Sequence, residues 1–191
     1  MDRRKFAASV LGTTIVGAVA AMGSVIASIR AVRRSTGAGA VAAGDKLVFA
    51  MGANAGKVIT LDALTVGDAV LAFPQGKESN HDNLLMLVRL EEGSYQPPTD
   101  AAWLADGVAA YSAICTHLGC TVRFSEEAMA GAPYSHIHCP CHAGMFDPRR
   151  GAAVISGPPP RPLPQLAVKL NAAGEVVAAG TFQQPIGVAA T

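Results

Sequence analysis

Two short segments carry the side chains that could do chemistry, Cys115-Thr116-His117-Leu118-Gly119-Cys120 and Cys139-Pro140-Cys141-His142. Each supplies two thiols and one imidazole, and together they hold all 4 cysteines of the chain. Two disulfides, Cys115 with Cys139 and Cys120 with Cys141, would suit an oxidising compartment but would leave both histidines idle. A tetrahedral zinc site of Cys115, His117, Cys139 and His142 would suit the preference of Zn for thiolate and imidazole, with Cys120 and Cys141 as bystanders. A 2Fe-2S cluster with two thiolates on one iron and two imidazoles on the other, plus a disulfide between the remaining cysteines, would occupy all six side chains. Residue type and spacing leave the three open.

Around these segments Gly119, Gly144 and Pro140 read as turn residues that let backbone approach the sulfurs. Leu118 and Met145 read as apolar cover over the site. His136 and His138 stand at strand spacing before the second segment and read as structural or surface residues. His81 lies in a polar loop without an evident partner, and Trp103 and Tyr111 read as core.

The elements that must position the two segments are strands. From Lys46 to Thr191 short apolar runs alternate with Gly, Pro and Asn and show no sustained 3.6-residue period. Strands are expected at 46–50, 57–61, 69–73, 84–90, 108–114, 121–124, 134–138, 166–170 and 175–179, and this predicts an all-β sandwich or barrel. Asp100 to Ala105 reads as one or two helical turns capped by Asp100, with Trp103 turned inward.

The chain has 191 residues, 15 Lys+Arg against 14 Asp+Glu and a net charge of +1, which argues against a nucleic-acid partner. Only 15% of residues are charged, where about 25% is usual, and mean hydropathy is +0.31, which points to membrane contact or to an Ala-rich apolar chain. Residues 7–29 contain no charge, and as a helix they would extend about 34 Å, enough for a bilayer core. Arg3 and Arg4 followed by Phe6 resemble a twin-arginine export signal, which would leave the N-terminus cytoplasmic and export the rest. Cleavage at the Ala18-Val19-Ala20 triplet would leave an apolar remnant, and a buried helix seldom carries arginines at both ends. Residues 1–34 are therefore read as signal and retained single anchor. Residues 35–45 are Gly- and Ala-rich and read as a hinge that could extend roughly 35 to 40 Å, followed by a head domain at 46–191.

The sequence CTHLGC followed by CPCHAGMFD resembles the two cluster-binding loops of Rieske iron-sulfur proteins, and Gly157-Pro158-Pro159-Pro160 is similar to the family's proline loop. With the anchor and hinge, the resemblance covers most of the chain. It implies a Rieske-like multi-sheet antiparallel β head whose cluster-binding part spans about residues 112–162. By the same resemblance Cys115 and Cys139 ligate one iron of a 2Fe-2S cluster, His117 and His142 ligate the other and act at the reaction site, and Cys120 bonds Cys141. Imidazole leaves one ring nitrogen free, so electron transfer can be coupled to a proton and to a hydrogen bond with quinol.

High-potential members of the family carry Ser and Tyr two and four positions after the second ligand histidine. Here Gly144 and Phe146 stand there, and neither can donate a hydrogen bond. Loss of donors to cluster sulfurs disfavours the reduced state, so a low potential matched to menaquinol is expected. The implied function is the Rieske subunit of a cytochrome bc type quinol:cytochrome c oxidoreductase. Its partners would be cytochrome b, a cytochrome c type heme subunit and quinol, in a dimeric multi-subunit complex. One helix would hold it in the cytoplasmic membrane with the head on the periplasmic face. The alternative is the Rieske small subunit of a periplasmic molybdenum enzyme such as arsenite oxidase.

Overall fold

The structure, a computed structural model, describes residues 39–182 and 184–188. The expected signal and anchor at 1–34 lie outside the described residues. Among the described residues no helix is long and apolar enough to cross a membrane.

The described chain is all-β, as expected. Eleven strands run in order as β1 (Leu47–Phe49), β2 (Ala69–Pro74), β3 (Leu85–Arg89), β4 (Val108–Ser112), β5 (Arg123–Ser125), β6 (His136–Cys139), β7 (Gly144–Asp147), β8 (Ala153–Ser156), β9 (Gln165–Leu166), β10 (Val168–Leu170) and β11 (Val176–Ala178). They form a five-stranded sheet β1-β2-β3-β4-β9, a four-stranded sheet β5-β6-β7-β8 and a β10-β11 ribbon, with every pair antiparallel.

The five-stranded sheet is covered on both faces, which explains the unbroken apolar run in β3. Leu85 and Leu87 face one core with Val108, Ala110, Val168 and Val176, so the ribbon lies on that side. Met86 and Val88 face the other with Tyr111, Ile137, Phe146, Cys115 and Cys139, so the small sheet and the cysteine segments lie there. Strand alternation sends successive residues to opposite faces, and each fully buried Leu or Met contributes about 1.5–3 kcal/mol.

Several expectations need correction. Residues 57–61 form no strand, because their partners lie on two different elements: the Ile59 amide donates to Leu47, and its carbonyl accepts from Val176. The alternation there is nevertheless real, since Ile59 is fully buried. The run 166–170 divides at Ala167, with Leu166 pairing with β4 and Val168 with β11. The strands β7 and β8 were not expected as strands at all; β7 lies inside the second motif and looked like loop. Asp100 caps a single 3-10 turn, Ala101–Trp103, through the Ala102 amide, and Trp103 is only half-buried.

Part of the segment expected as a hinge, residues 40–45, packs on the head, and residues 35–38 lie outside the described residues. Val41 is buried and its amide donates to Asn83 Oδ1 at 3.1 Å. Lys77 Nζ donates to the Ala40 carbonyl at 2.9 Å and to Asp45 at 2.6 Å, and the Gly44 amide donates to Ala178. Residues 40–45 are therefore docked on the head.

Candidate metal centre

The first segment leaves the end of β4 and returns into β5. The Cys115 amide donates to the Cys120 carbonyl at 2.8 Å, and the Gly119 amide to the Cys115 carbonyl at 3.0 Å, which closes a tight loop. Gly119 has a φ of +78°, a conformation that favours glycine. The second segment is the turn of the β6–β7 hairpin, with Cys139 opposite Gly144. The two loops are joined by a disulfide between Cys120 and Cys141.

Cys115 and Cys139 are free and buried, at 1% and 2% exposure. Burial pushes the Cys115 thiol up to about 11. At neutral pH such a thiol is a poor nucleophile, and its ionisation needs a nearby cation to balance the buried charge. The rings of His117 and His142 meet edge to face with centroids 4.8 Å apart. His117 is half-buried, and its Nδ1 is enclosed without a hydrogen-bond partner, whereas His142 is exposed. Leu118, 61% exposed, makes the tip apolar.

This donor set fits a metal centre better than a two-disulfide scaffold. A Cys115–Cys139 disulfide is not formed, so a two-disulfide scaffold is ruled out for the described residues. Two protected thiols together with an enclosed, unpartnered imidazole nitrogen are what a metal centre requires. Sulfur atoms of Cys120, Cys139 and Cys141 also lie within 4.8 Å of one another, but the disulfide occupies two of these and leaves only Cys139 to bind metal.

The Gly157–Pro160 segment packs on the second loop. Gly157 has a φ of +88°, and a Cβ there would lie 2.7 Å from the Ala143 carbonyl oxygen and 2.8 Å from Gly144 Cα. Pro159 is buried against Gly144. Gly144 has no positive φ, so its requirement is close approach by the proline and not the turn geometry expected from sequence.

Other expectations shift. Phe146 is fully buried, pairs with Ile137 and belongs to the apolar core. Met145 alternates to the opposite face, where its Sδ would be 3.8 Å from a Cβ on Gly131. It therefore covers the outer face of the small sheet and not the paired loops. His136, expected to be structural or on the surface, is structural: it is fully buried and donates from Nδ1 to the Tyr134 carbonyl at 2.9 Å. His81 does have a partner, the Thr121 hydroxyl at 3.3 Å. Sequence reasoning missed Thr116, whose hydroxyl donates to the Arg161 carbonyl at 2.7 Å, and Arg161 itself. Nothing local in the sequence marks either, because their partners lie far along the chain.

A family model described as the Rieske 2Fe-2S domain matches residues 69–167. The chain is 37% identical over 132 residues to a putative respiratory nitrate reductase subunit Rieske of Haloferax mediterranei, covering 69% of this chain and 57% of that protein. It is also 37% identical over 134 residues to a cytochrome bc1 complex Rieske iron-sulfur subunit of Streptomyces lividans, covering 66% of this chain and 76% of that protein. The solved structure of a hyperthermophilic respiratory Complex III aligns over 87% of this chain and 98% of its own at 26% identity, with a TM-score of 0.43.

Proposed function

Because the chain belongs to the Rieske 2Fe-2S domain family, we propose that it is the electron-transfer subunit of a cytochrome bc type quinol:cytochrome c oxidoreductase. In this reading Cys115 and Cys139 hold the buried iron, and His117 and His142 hold the outer one. The observation that carries it is the combination of two buried free thiols with two histidine rings at 4.8 Å, tied together by the Cys120–Cys141 disulfide.

When bound, the cluster supplies a one-electron carrier. His117 and His142 are neutral ligands where thiolates would be charged, so they favour the reduced, more negative state over an all-cysteine set. Each keeps one ring nitrogen off the metal, free to hydrogen-bond a quinol oxygen and to hold or pass on its proton. His142 is exposed, as is the apolar Leu118 next to His117 in sequence, so this edge suits contact with cytochrome b and then with a cytochrome c type heme. Gly144 and Phe146 offer no hydroxyl to the sulfurs, which favours a low potential and menaquinol as donor.

The head would sit on the periplasmic face of the cytoplasmic membrane, tethered by one helix in residues 1–34, within a dimeric complex. With residues 40–45 docked, the tether would be limited to residues 35–39, a span of at most about 18 Å. A second reading has support from the Haloferax relative: the same head could serve a respiratory reductase other than a bc type complex.

The test is electron paramagnetic resonance with redox titration of the full chain in its native membranes, followed by purification of the complex. A mixed-ligand 2Fe-2S signal whose midpoint falls as pH rises, together with co-purifying cytochrome b, is expected. Zinc without iron in the folded protein would refute the electron-transfer role. Co-purification with a molybdenum enzyme would favour the second reading.

A further inference from the structure

Away from the paired loops, the outer face of the small sheet carries a second group of ligand-type side chains. His136 and His138 stand two residues apart on β6, so both project away from the core that Ile137 enters, and their ring centroids are 6.1 Å apart. Met145 lies opposite His138 in the register of β6 with β7 and therefore on the same face. Side chains directly opposed in this way have Cβ atoms about 4.5–5.5 Å apart.

Both histidines leave a ring nitrogen unsatisfied. His136 is fully buried, and its Nδ1 donates to the Tyr134 carbonyl at 2.9 Å, so in the neutral ring Nε2 carries a lone pair. That Nε2 is enclosed and has no hydrogen-bond partner among the described residues, and the same holds for His138 Nδ1. Enclosed nitrogens without partners are costly, and two on neighbouring rings call for a group that both can bind. A carbonyl that fixes one ring nitrogen and leaves the other as a donor is also the usual support of a metal-bound histidine.

We propose that His136 Nε2 and His138 Nδ1, with Met145 Sδ as third donor, form a second metal site that takes a cuprous ion. Metal–nitrogen bonds of 2.0–2.1 Å let two imidazole centroids lie up to about 6.4 Å apart on one ion. The observed 6.1 Å falls inside that limit and requires a wide angle at the ion, which suits a cation of low coordination number. Charge points the same way. Asp147, two residues past Met145, has its oxygens engaged by the Tyr134 hydroxyl and the Arg149 amide, and the exposed Arg123 stands opposite His138 on β5. A divalent ion would be poorly compensated there, whereas neutral imidazole and thioether donors suit a soft, singly charged one.

The experiment is an anaerobic titration of the full-length, iron-loaded protein with cuprous ion buffered by bicinchoninate, with the 2Fe-2S signal followed alongside. The wild type is expected to withdraw copper from the coloured chelate while its iron signal stays constant. His136→Gln and His138→Gln are each expected to weaken binding by at least about tenfold. Copper-edge X-ray absorption is expected to show nitrogen neighbours and a sulfur that disappears in Met145→Leu. A folded wild type that takes no copper overturns the proposal and leaves the two nitrogens to a buried water. Equal binding by His138→Gln also overturns it, as does loss of the iron signal in step with copper uptake, because either result places the copper elsewhere, the latter at Cys115 and Cys139. If His136→Gln fails to fold, the half-buried His138 carries the comparison alone.

Discussion

A Cβ on Gly144 would lie 2.5 Å from Pro159 Cγ and 2.9 Å from its Cδ, so the buried proline occupies the space that a side chain at position 144 would need. The absence of a hydroxyl at 144 is thus coupled to the packing of the proline segment. Gly144→Ser must displace Pro159 before any hydrogen bond can form. We expect a loss of about 1–3 kcal/mol, typical of overpacking, and weaker retention of the cluster. Thermal melting and iron content per chain check this, and undiminished values would mean that the proline segment yields freely.

Phe146→Tyr is the cleaner probe of the missing donors. Phe146 is fully buried in β7, two residues past Gly144. A hydroxyl there is expected to raise the midpoint by stabilising the reduced state, as a redox titration would show. An unmoved midpoint in a variant of normal stability would remove the case for a low potential drawn from position 146.

The Cys120–Cys141 bond spans 21 residues of sequence and clasps the two loops. Chain-entropy arguments give about 3 kcal/mol for closing a loop of this order. Replacing both cysteines with alanine should lower stability by about that much, measured by denaturant unfolding. It should also speed loss of the visible iron-sulfur absorbance, because His117 and His142 would no longer be held together. Unaltered unfolding would show that core packing alone holds the loops in register.

Glu175 holds the ribbon to the start of β1. Its carboxylate accepts from Lys46 Nζ at 3.0 Å and from Asn171 Nδ2 at 2.6 Å, and these bonds, the lysine first, keep its pKa below the usual carboxylate range. A lowered folded-state pKa means stability that is present above the ordinary glutamate value and is lost as pH falls through the lowered one. Glu175→Gln is expected to flatten the part of the acid-unfolding profile that begins just below that ordinary value, with little change in its shape at neutral pH. Identical acid limbs in the two proteins would show that this exposed pair contributes nothing measurable.

Much of the site was legible because its signals are local. Cys115 with His117 and Cys139 with His142 stand as two close pairs in sequence, one in the loop between β4 and β5 and one in the β6–β7 turn, and metal-binding chemistry restricts which residue types can occupy such positions. The all-β architecture and strands such as β2, β3 and β4 were legible for the same reason, since alternation and turn residues are properties of neighbours along the chain. Residue type and spacing left the thiol pairing open, the family resemblance implied the Cys120–Cys141 bond, and the structure agrees; tertiary structure alone decided that Ile59 stitches two elements in place of forming a strand, and that residues 40–45 are docked. It also decided that Pro159 fills the space over Gly144 and that Arg161 reaches Thr116 and Gly187. Some of these contacts join residues far apart in sequence, and all of them depend on how the sheets pack, so no local spacing encodes them.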